Sequence, residues 1–159
     1  ACLVGSEMCI RDSRKGGSTD KYLLTAAGKK INTTNAEVPG CRNWIWWDAD
    51  LLRETFKGDD NRWGASSSSG GRKQSIWKWQ GEVLTGGIEG DILMIADLEG
   101  DWREEQITAL PGELRIYHTN IPARDRRVTL MQDPLYRSYV AHRSMGYPQA
   151  PVPSFYLGE

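Results

Sequence analysis

Apolar and polar residues alternate in several short stretches of the chain. In SIWKWQGE, residues 75–82, Ile76 and Lys78 are set against Trp77 and Trp79, which is the period-two pattern of a β-strand. Short apolar runs such as KYLLT, WIWW and DILMIA recur elsewhere and are separated by polar turns rich in glycine. The pattern therefore predicts an all-β fold built from short antiparallel strands.

One segment near the C-terminus departs from this pattern. Residues 134–144 are the single helix candidate, although their polar and apolar positions could equally form a strand with a polar edge. The following tail, residues 145–159, contains three prolines and is predicted to be extended or looped.

An acidic stretch recurs along the chain. WWDADLLRE, residues 46–54, aligns with DLEGDWREE, residues 97–105, at a shift of 51 residues (97 minus 46). A recurrence near 50 residues with about four strands per unit is typical of β-propeller blades. We therefore predict one four-stranded blade in residues 14–80, and a final blade with the C-terminal tail in residues 81–159. Two blades cannot close a ring, so the chain is predicted to be a C-terminal fragment.

The first thirteen residues share no pattern with the rest. ACLVGSEMCIRDS contains Cys2 and Cys9 and closely resembles the peptide translated from a sequencing adapter at the end of a metagenomic read. We therefore expect residues 1–13 to be an artefactual leader that packs on nothing and carries no site. Cys41 is then the remaining cysteine, and it is interpreted as a small buried residue rather than a nucleophile.

Composition and charge exclude several classes of function. The chain has 159 residues and a formal net charge of −1, which offers no electrostatic basis for binding nucleic acid or an anionic membrane surface. No apolar stretch approaches the roughly 18 residues of a membrane span. We expect a monomer with neither a nucleic-acid nor a membrane partner.

The second acidic stretch has the spacing of a calcium-binding loop. Numbered from Asp97, its carboxylates fall at positions one, three, five and nine, which are Asp97, Glu99, Asp101 and Glu105. Calcium takes about six to eight oxygen ligands, and acids at alternate positions supply them from one short turn. The alternative is a solvated acidic turn that pairs with Arg103 and other arginines. The first stretch keeps three of the four acids, Asp48, Asp50 and Glu54.

Five motifs follow one another along the chain: WWDADLLRE, SIWKWQGE, ADLEGDWREE, ELRIYHTNIPARDRRVTLMQDPLYR and GYPQAPVPSFYLG. In sequence and in order they resemble the rhamnogalacturonan lyases of polysaccharide lyase family eleven. The resemblance implies an eight-bladed β-propeller parent that binds Ca²⁺. It also implies a secreted or periplasmic enzyme acting on the pectic polysaccharide rhamnogalacturonan I by calcium-assisted β-elimination at galacturonate. The fragment alone is then expected to be inactive.

The resemblance places one substrate contact and leaves the catalytic base unknown. The family's Tyr-Asn-Gln-Pro tyrosine falls on Tyr147, which is expected to contact the sugar or, alternatively, to pack at a sheet edge. The family's substrate-binding Asn-Gly-Thr-Lys run has no counterpart in residues 85–91, TGGIEGD. His118 and His142 are interpreted as structural. A non-catalytic carbohydrate-binding propeller and a protein-interaction propeller therefore remain alternatives to the lyase.

Overall fold

The computed structural model describes residues 2–4, 7–11, 21–25, 29–31, 44–58, 73–78, 81–145, 150–155 and 157. Within these ranges the chain forms eleven β-strands and one α-helix. The first sheet contains β1 (Cys2–Val4), β2 (Glu7–Arg11), β3 (Lys21–Thr25) and β4 (Lys30–Ile31). The second contains β5 (Trp44–Ile45), β6 (Glu54–Gly58), β7 (Lys73–Trp77) and β8 (Val83–Glu89). The third contains β9 (Asp91–Ala96), β10 (Glu105–Leu110) and β11 (Glu113–Tyr117), and the helix α1 (Pro134–Ser144) follows it.

All three sheets pair antiparallel neighbours in chain order, and no ring of blades is found in the described part of the chain. The β-propeller prediction is therefore wrong: the architecture is a sandwich-like set of antiparallel sheets, the last of which has three strands. A propeller arranges about four to eight four-stranded blades around a channel. Period-two alternation shows only which side of a strand is buried, and the 51-residue recurrence marks a repeated loop. Neither signal determines how sheets are arranged.

Two predicted boundaries also differ from the sheets. β2 pairs with β3 through the register Cys9 with Leu23, so the backbone of the predicted leader is part of the first sheet, and the expectation that it packs on nothing is wrong. Its origin as translated adapter stays a prediction. The predicted boundary between residues 80 and 81 separates β8 from β7, although these two strands pair.

The second and third sheets share one apolar core. Ile92 and Ile95 of β9 pack with residues of β5 to β8, and the buried cluster also contains Ile45, Trp47, Phe56, Ile76 and Ile88. Burying one such side chain contributes roughly 1.5–3 kcal/mol. This core therefore fixes the facing surfaces of the two sheets and, with them, the loops at their ends.

The helix α1 begins at an Asp-Pro pair. Asp133 is the N-cap, and its side chain accepts a hydrogen bond from Leu135 N at 3.0 Å, while Pro134 occupies the first turn, where its missing N–H costs nothing. Near the other end, Arg143 donates from Nε to the carbonyl of Leu93 in β9 at 2.7 Å. Burial lowers the pKa of Arg143 to about 10. The helix is thus tied to the third sheet at its C-terminal end.

A second apolar cluster lies beside the helix. Tyr136 of α1 packs with the tryptophans of both acidic stretches, and the buried members are Trp46, Trp102, Leu130, Tyr136 and Leu157. Because this cluster contains residues from each acidic stretch, from the helix and from the C-terminal tail, it holds the candidate site region together.

Candidate metal site

Two acidic loops occupy equivalent places in neighbouring sheets. The first acidic loop, residues 46–54, joins β5 to β6, and the second acidic loop, residues 97–105, joins β9 to β10. In the first, Glu54 Oε2 accepts a hydrogen bond from Trp47 N at 2.8 Å. In the second, Glu105 Oε2 accepts one from Leu98 N at 2.6 Å. Since the 51-residue shift superposes both partners, the final glutamate closes the two loops in the same way.

The first acidic loop brings three carboxylates together. Asp48, Asp50 and Glu54 each offer one oxygen, and these oxygens lie within 4.8 Å of one another. Asp48 and Glu54 are buried, and Asp50 is half-buried. The turn is closed by Asp50 N, which donates to Asp48 Oδ1 at 2.9 Å. Three converging carboxylate oxygens form a donor set of the kind that Ca²⁺ prefers.

The ammonium of Lys78 contacts two carboxylates of this cluster. Its Nζ lies 2.5 Å from Asp48 Oδ2 and 2.5 Å from Asp50 Oδ2. Burial acts to lower the pKa of Lys78, but the hydrogen bonds to the two aspartates outweigh it and raise that pKa. Burial also raises the pKa of Glu54 to about 8, and the charges of Asp48 and Asp50 add to the effect. The cluster therefore carries one positive side chain against three acids.

Asp97 of the second acidic loop has a different environment. It is buried, with 1% of its surface exposed, and its carboxylate accepts hydrogen bonds from four protein donors. Its Oδ1 accepts from Gly100 N at 2.8 Å, and its Oδ2 from Trp102 N, Thr129 Oγ1 and Leu130 N at 3.2, 2.8 and 2.7 Å. These four hydrogen bonds use both oxygens of the carboxylate. Because Thr129 and Leu130 lie in the segment before α1, Asp97 connects the second acidic loop to that segment.

The other three predicted ligands of this loop also have protein partners. Asp101 forms an ion pair with Arg103, whose Nε donates to Asp101 Oδ2 at 3.0 Å. Glu99 is exposed and lies 3.4 Å from His118 Nδ1. Burial raises the pKa of Glu105 to about 7. Among the described residues, the first acidic loop alone forms a group of three acids suited to a metal. The Asp101–Arg103 pair agrees with the alternative interpretation, an acidic turn paired with arginine, and the calcium site at Asp97, Glu99, Asp101 and Glu105 stays a prediction.

The second loop contains an unusual backbone conformation. Trp102 is a non-glycine residue with φ of 72°, and Gly100 precedes it with φ of 79°. A left-handed non-glycine residue costs roughly 1–2 kcal/mol. The indole of Trp102 is buried, with its Nε1 donating to the carbonyl of Asp125 at 3.0 Å. Hydrogen bonding of its N–H to Asp97 and packing of its ring together hold this conformation.

A buried network that the sequence analysis missed connects the two loops. Glu104 is fully buried, and its carboxylate accepts hydrogen bonds from Trp46 N at 3.0 Å and from the Tyr136 hydroxyl at 2.7 Å. Arg53 Nη2 lies 3.6 Å from the same carboxylate, and its guanidinium stacks over the Trp46 ring at 3.7 Å. Burial raises the pKa of Glu104. The sequence signal that could have indicated this network is the 51-residue repeat, because Arg53 and Glu104 occupy equivalent positions in it (104 minus 53 is 51).

A cavity of about 580 Å³ opens beside the first acidic loop. Charged side chains of both signs line it, together with apolar residues of the segment after β11; they include Asp48, Asp50, Lys78, Glu82, Ile121 and Arg124. The cavity thus gives the Asp48–Asp50–Lys78 group an open side.

The remaining predicted residues lie apart from this cluster. Tyr147 and Cys41 fall outside the described residues. His118 is exposed, and His142 lies on α1 with its ring 6.3 Å from that of Tyr139. Residues 85–91 run from β8 of the second sheet into the start of β9 of the third, and Thr85 Oγ1 accepts a hydrogen bond from Trp47 Nε1 at 2.8 Å.

Comparison with known proteins identifies the family. The family model described as the C-terminal domain of rhamnogalacturonan lyase family 11 matches residues 5–159. The chain belongs to this family. It is 40% identical over 140 residues to the rhamnogalacturonan endolyase YesW of Bacillus subtilis (strain 168), covering 86% of this chain and 22% of that protein. It is also 37% identical over 148 residues to the rhamnogalacturonan exolyase YesX of the same organism, covering 86% of this chain and 23% of that protein.

Solved structures agree with this assignment and confirm the family resemblance. The crystal structure of YesX is similar with a TM-score of 0.69 and 30% identity, covering 98% of this chain and 29% of that one. The crystal structure of YesW gives a TM-score of 0.65 and 33% identity, covering 98% and 27%. The chain therefore spans about a quarter or less of the curated relatives it matches. In its described part, no helix has the length and apolar character needed to cross a membrane.

Proposed function

We propose that this chain is the C-terminal part of a rhamnogalacturonan lyase that cleaves the backbone of rhamnogalacturonan I. The observation that carries this proposal is family membership along residues 5–159, together with 40% and 37% identity to an endolyase and an exolyase. The other three quarters of such an enzyme lie outside this chain. The activity is therefore proposed for the full-length parent.

The proposed reaction is β-elimination at galacturonate. A base removes the C5 proton, the bond from C4 to O4 breaks, a C4=C5 double bond forms, and the leaving sugar takes a proton on O4. The difficulty lies in the negative charge that develops next to the carboxylate, and calcium, when bound there, supplies positive charge that stabilises it. We assign no catalytic base to this chain.

Within this chain, calcium is proposed at Asp48, Asp50 and Glu54. The support is the convergence of three carboxylate oxygens within 4.8 Å, and the position of the Lys78 ammonium where a cation would be needed. A cation there would neutralise carboxylates that otherwise repel one another by about 1 kcal/mol or more per pair. The role of these residues is then to hold the first acidic loop in place.

The proposed polysaccharide substrate also indicates the cellular location in which the parent enzyme acts. Because a polysaccharide does not cross a membrane unaided, we propose that the parent is secreted or periplasmic. We also propose that the parent is a monomer. Its partner is the polysaccharide, and neither nucleic acid nor a membrane is a partner.

A second candidate is a non-catalytic carbohydrate-binding protein of the same family. The observation that favours it is the stretch TGGIEGD, residues 85–91, which stands where the family that the chain resembles has an Asn-Gly-Thr-Lys run. This stretch has neither an amide nor an ammonium side chain. Loss of those groups removes polar contacts that would orient a sugar.

Product absorbance tests the two candidates against each other. The full-length parent is incubated with rhamnogalacturonan I and, as a matched control, with polygalacturonate, which lacks rhamnose. The lyase proposal expects ultraviolet absorbance from the new double bond to grow with the first substrate and not with the second. Binding of rhamnogalacturonan I without such growth would instead select the non-catalytic candidate.

A further inference from the structure

The position of Lys78 is fixed by the turn that follows β7. Lys78 N donates to the carbonyl of Glu82 at 3.0 Å, and Gly81 N donates back to the carbonyl of Lys78 at 3.0 Å. A Cβ atom on residue 81 would lie 2.7 Å from Lys78 Cβ, which is closer than Cβ atoms in proteins come to non-bonded atoms. Glycine at position 81 therefore lets the turn close tightly enough to aim the lysine at the first acidic loop.

The ammonium of Lys78 and a metal ion need the same oxygens. Nζ lies 2.5 Å from the Oδ2 atoms of both Asp48 and Asp50. Calcium binds carboxylate oxygens at about 2.3–2.6 Å. A calcium ion on these two oxygens would thus have to occupy the space that Nζ fills. The two cations exclude each other sterically as well as electrostatically.

We propose that Lys78 is a built-in competitor for the divalent cation at Asp48, Asp50 and Glu54. This inference rests on the calcium placement in the proposed function. With the lysine in place, the first acidic loop is partly neutralised and folds without a metal. Calcium binds by displacing the ammonium, so Lys78 sets how tightly this site holds the ion.

The structure also provides a place for the displaced side chain. The cavity of about 580 Å³ borders Lys78 and contains Glu82, which is exposed. Lys78 is itself one-third exposed, with 34% of its side chain accessible. The ammonium can therefore swing into the cavity by rotation of its own side chain, while the backbone of the turn stays where it is.

Calcium titration of the full 159-residue chain by isothermal calorimetry tests the competition. Lys78→Met removes the ammonium and keeps most of the apolar length. The matched control is Lys73→Met, at the other end of β7, where the lysine lies 3.7 Å from Glu89 and away from the cluster. We expect Lys78→Met to bind calcium about tenfold tighter or more than the unsubstituted chain, since two charge-assisted contacts no longer have to be broken. Lys73→Met should bind as the unsubstituted chain does.

Lysine labelling of the unsubstituted chain gives a test that needs no variant. Amine acetylation mapped by mass spectrometry should modify Lys78 slowly without calcium and faster with it, while Lys73 stays constant. Equal affinity of Lys78→Met and the unsubstituted chain, or labelling of Lys78 that calcium does not change, would overturn the competition and leave the calcium placement standing. Absence of calcium binding in both chains would overturn the competition and the calcium placement together. The lyase proposal is decided separately by product absorbance from the parent.

Discussion

The two acidic loops share their sequence pattern and their closing glutamate, yet different partners compensate the charge of their carboxylates. In the second acidic loop, three of the four carboxylates accept hydrogen bonds from protein donors, as Asp97 does from four and Asp101 does from Arg103. In the first, three carboxylates face one another, and two of them, Asp48 and Asp50, share the ammonium of Lys78. Similar acids at similar spacing therefore become a structural turn or a cation site, depending on which donors the rest of the fold brings to them.

The largest expected effect comes from the pair that joins the loops. Glu104→Ala leaves Arg53, Trp46 N and the Tyr136 hydroxyl without their buried partner, which should cost about 3–5 kcal/mol of the free energy of unfolding. Chemical denaturation measures the loss. Glu99→Ala, an exposed acid of the same loop, is the matched control and should change stability little. A similar result for both variants would show that the loops are not coupled through Glu104.

Asp97→Asn tests whether the second acidic loop is held by hydrogen bonds and not by a metal. An amide offers one acceptor oxygen where the carboxylate offers two, so the variant should lose about 2–4 kcal/mol. The loss should be the same with calcium and with a chelator. Asp48→Asn in the first loop should instead reduce the effect of calcium on the denaturation midpoint. A calcium-dependent loss for Asp97→Asn would contradict the assignment of its carboxylate to protein donors.

The raised pKa values predict how stability depends on pH. Glu54 has an unfolded pKa near 4.5 and a folded pKa of about 8, so the folded state binds the extra proton between these values. Its contribution is complete below pH 4.5 and is lost as the pH rises through 8, by at most about 1.4 kcal/mol per pH unit. With a chelator present, Glu54→Gln should flatten this decline up to about pH 8. Glu105→Gln should flatten it only to about pH 7, where the pKa of Glu105 lies. Curves for both variants that run parallel to that of the unsubstituted chain would contradict the pKa assignments.

The smallest effect is expected for Asp101→Asn. This side chain is one-third exposed and pairs with Arg103, so screening by water leaves the pair worth about 1 kcal/mol or less. Calcium affinity measured by calorimetry should stay unchanged, whereas Asp50→Asn, at the equivalent position of the first loop, should weaken it. A loss of calcium binding in Asp101→Asn would show that the second loop is a metal site.

Local structure followed closely from the sequence. The first three residues of SIWKWQGE, residues 75–77, lie in β7, which ends at Trp77, and Gly81 of the same stretch lies in the turn that follows. Residues 134–144 form the helix that was one of two options, and the deciding signal was the Asp133–Pro134 cap. Such features depend on neighbours within a few residues, which is why sequence alone reaches them.

The arrangement of sheets and the choice of site did not follow from the sequence. For two of the acids the deciding partners are distant along the chain: Lys78 lies 28 residues from Asp50, and Leu130 lies 33 residues from Asp97. The spacing of acids favoured the second loop because it has four of them. In the described structure three acids converge in the first loop, whereas in the second Asp97 is taken up by donors that include the distant Thr129 and Leu130, and Asp101 by the nearby Arg103.

The ion pair between Arg53 and Glu104 limits which substitutions the two copies of the acidic loop tolerate. These residues occupy equivalent positions in the repeat, and each contacts the other copy. A chimera that carries the first loop's sequence in both places would set one arginine against another in a buried space, and the reverse chimera would oppose two glutamates. The copies have thus become complementary halves: neither can replace the other, and an exchange at one position requires the opposite exchange at its counterpart.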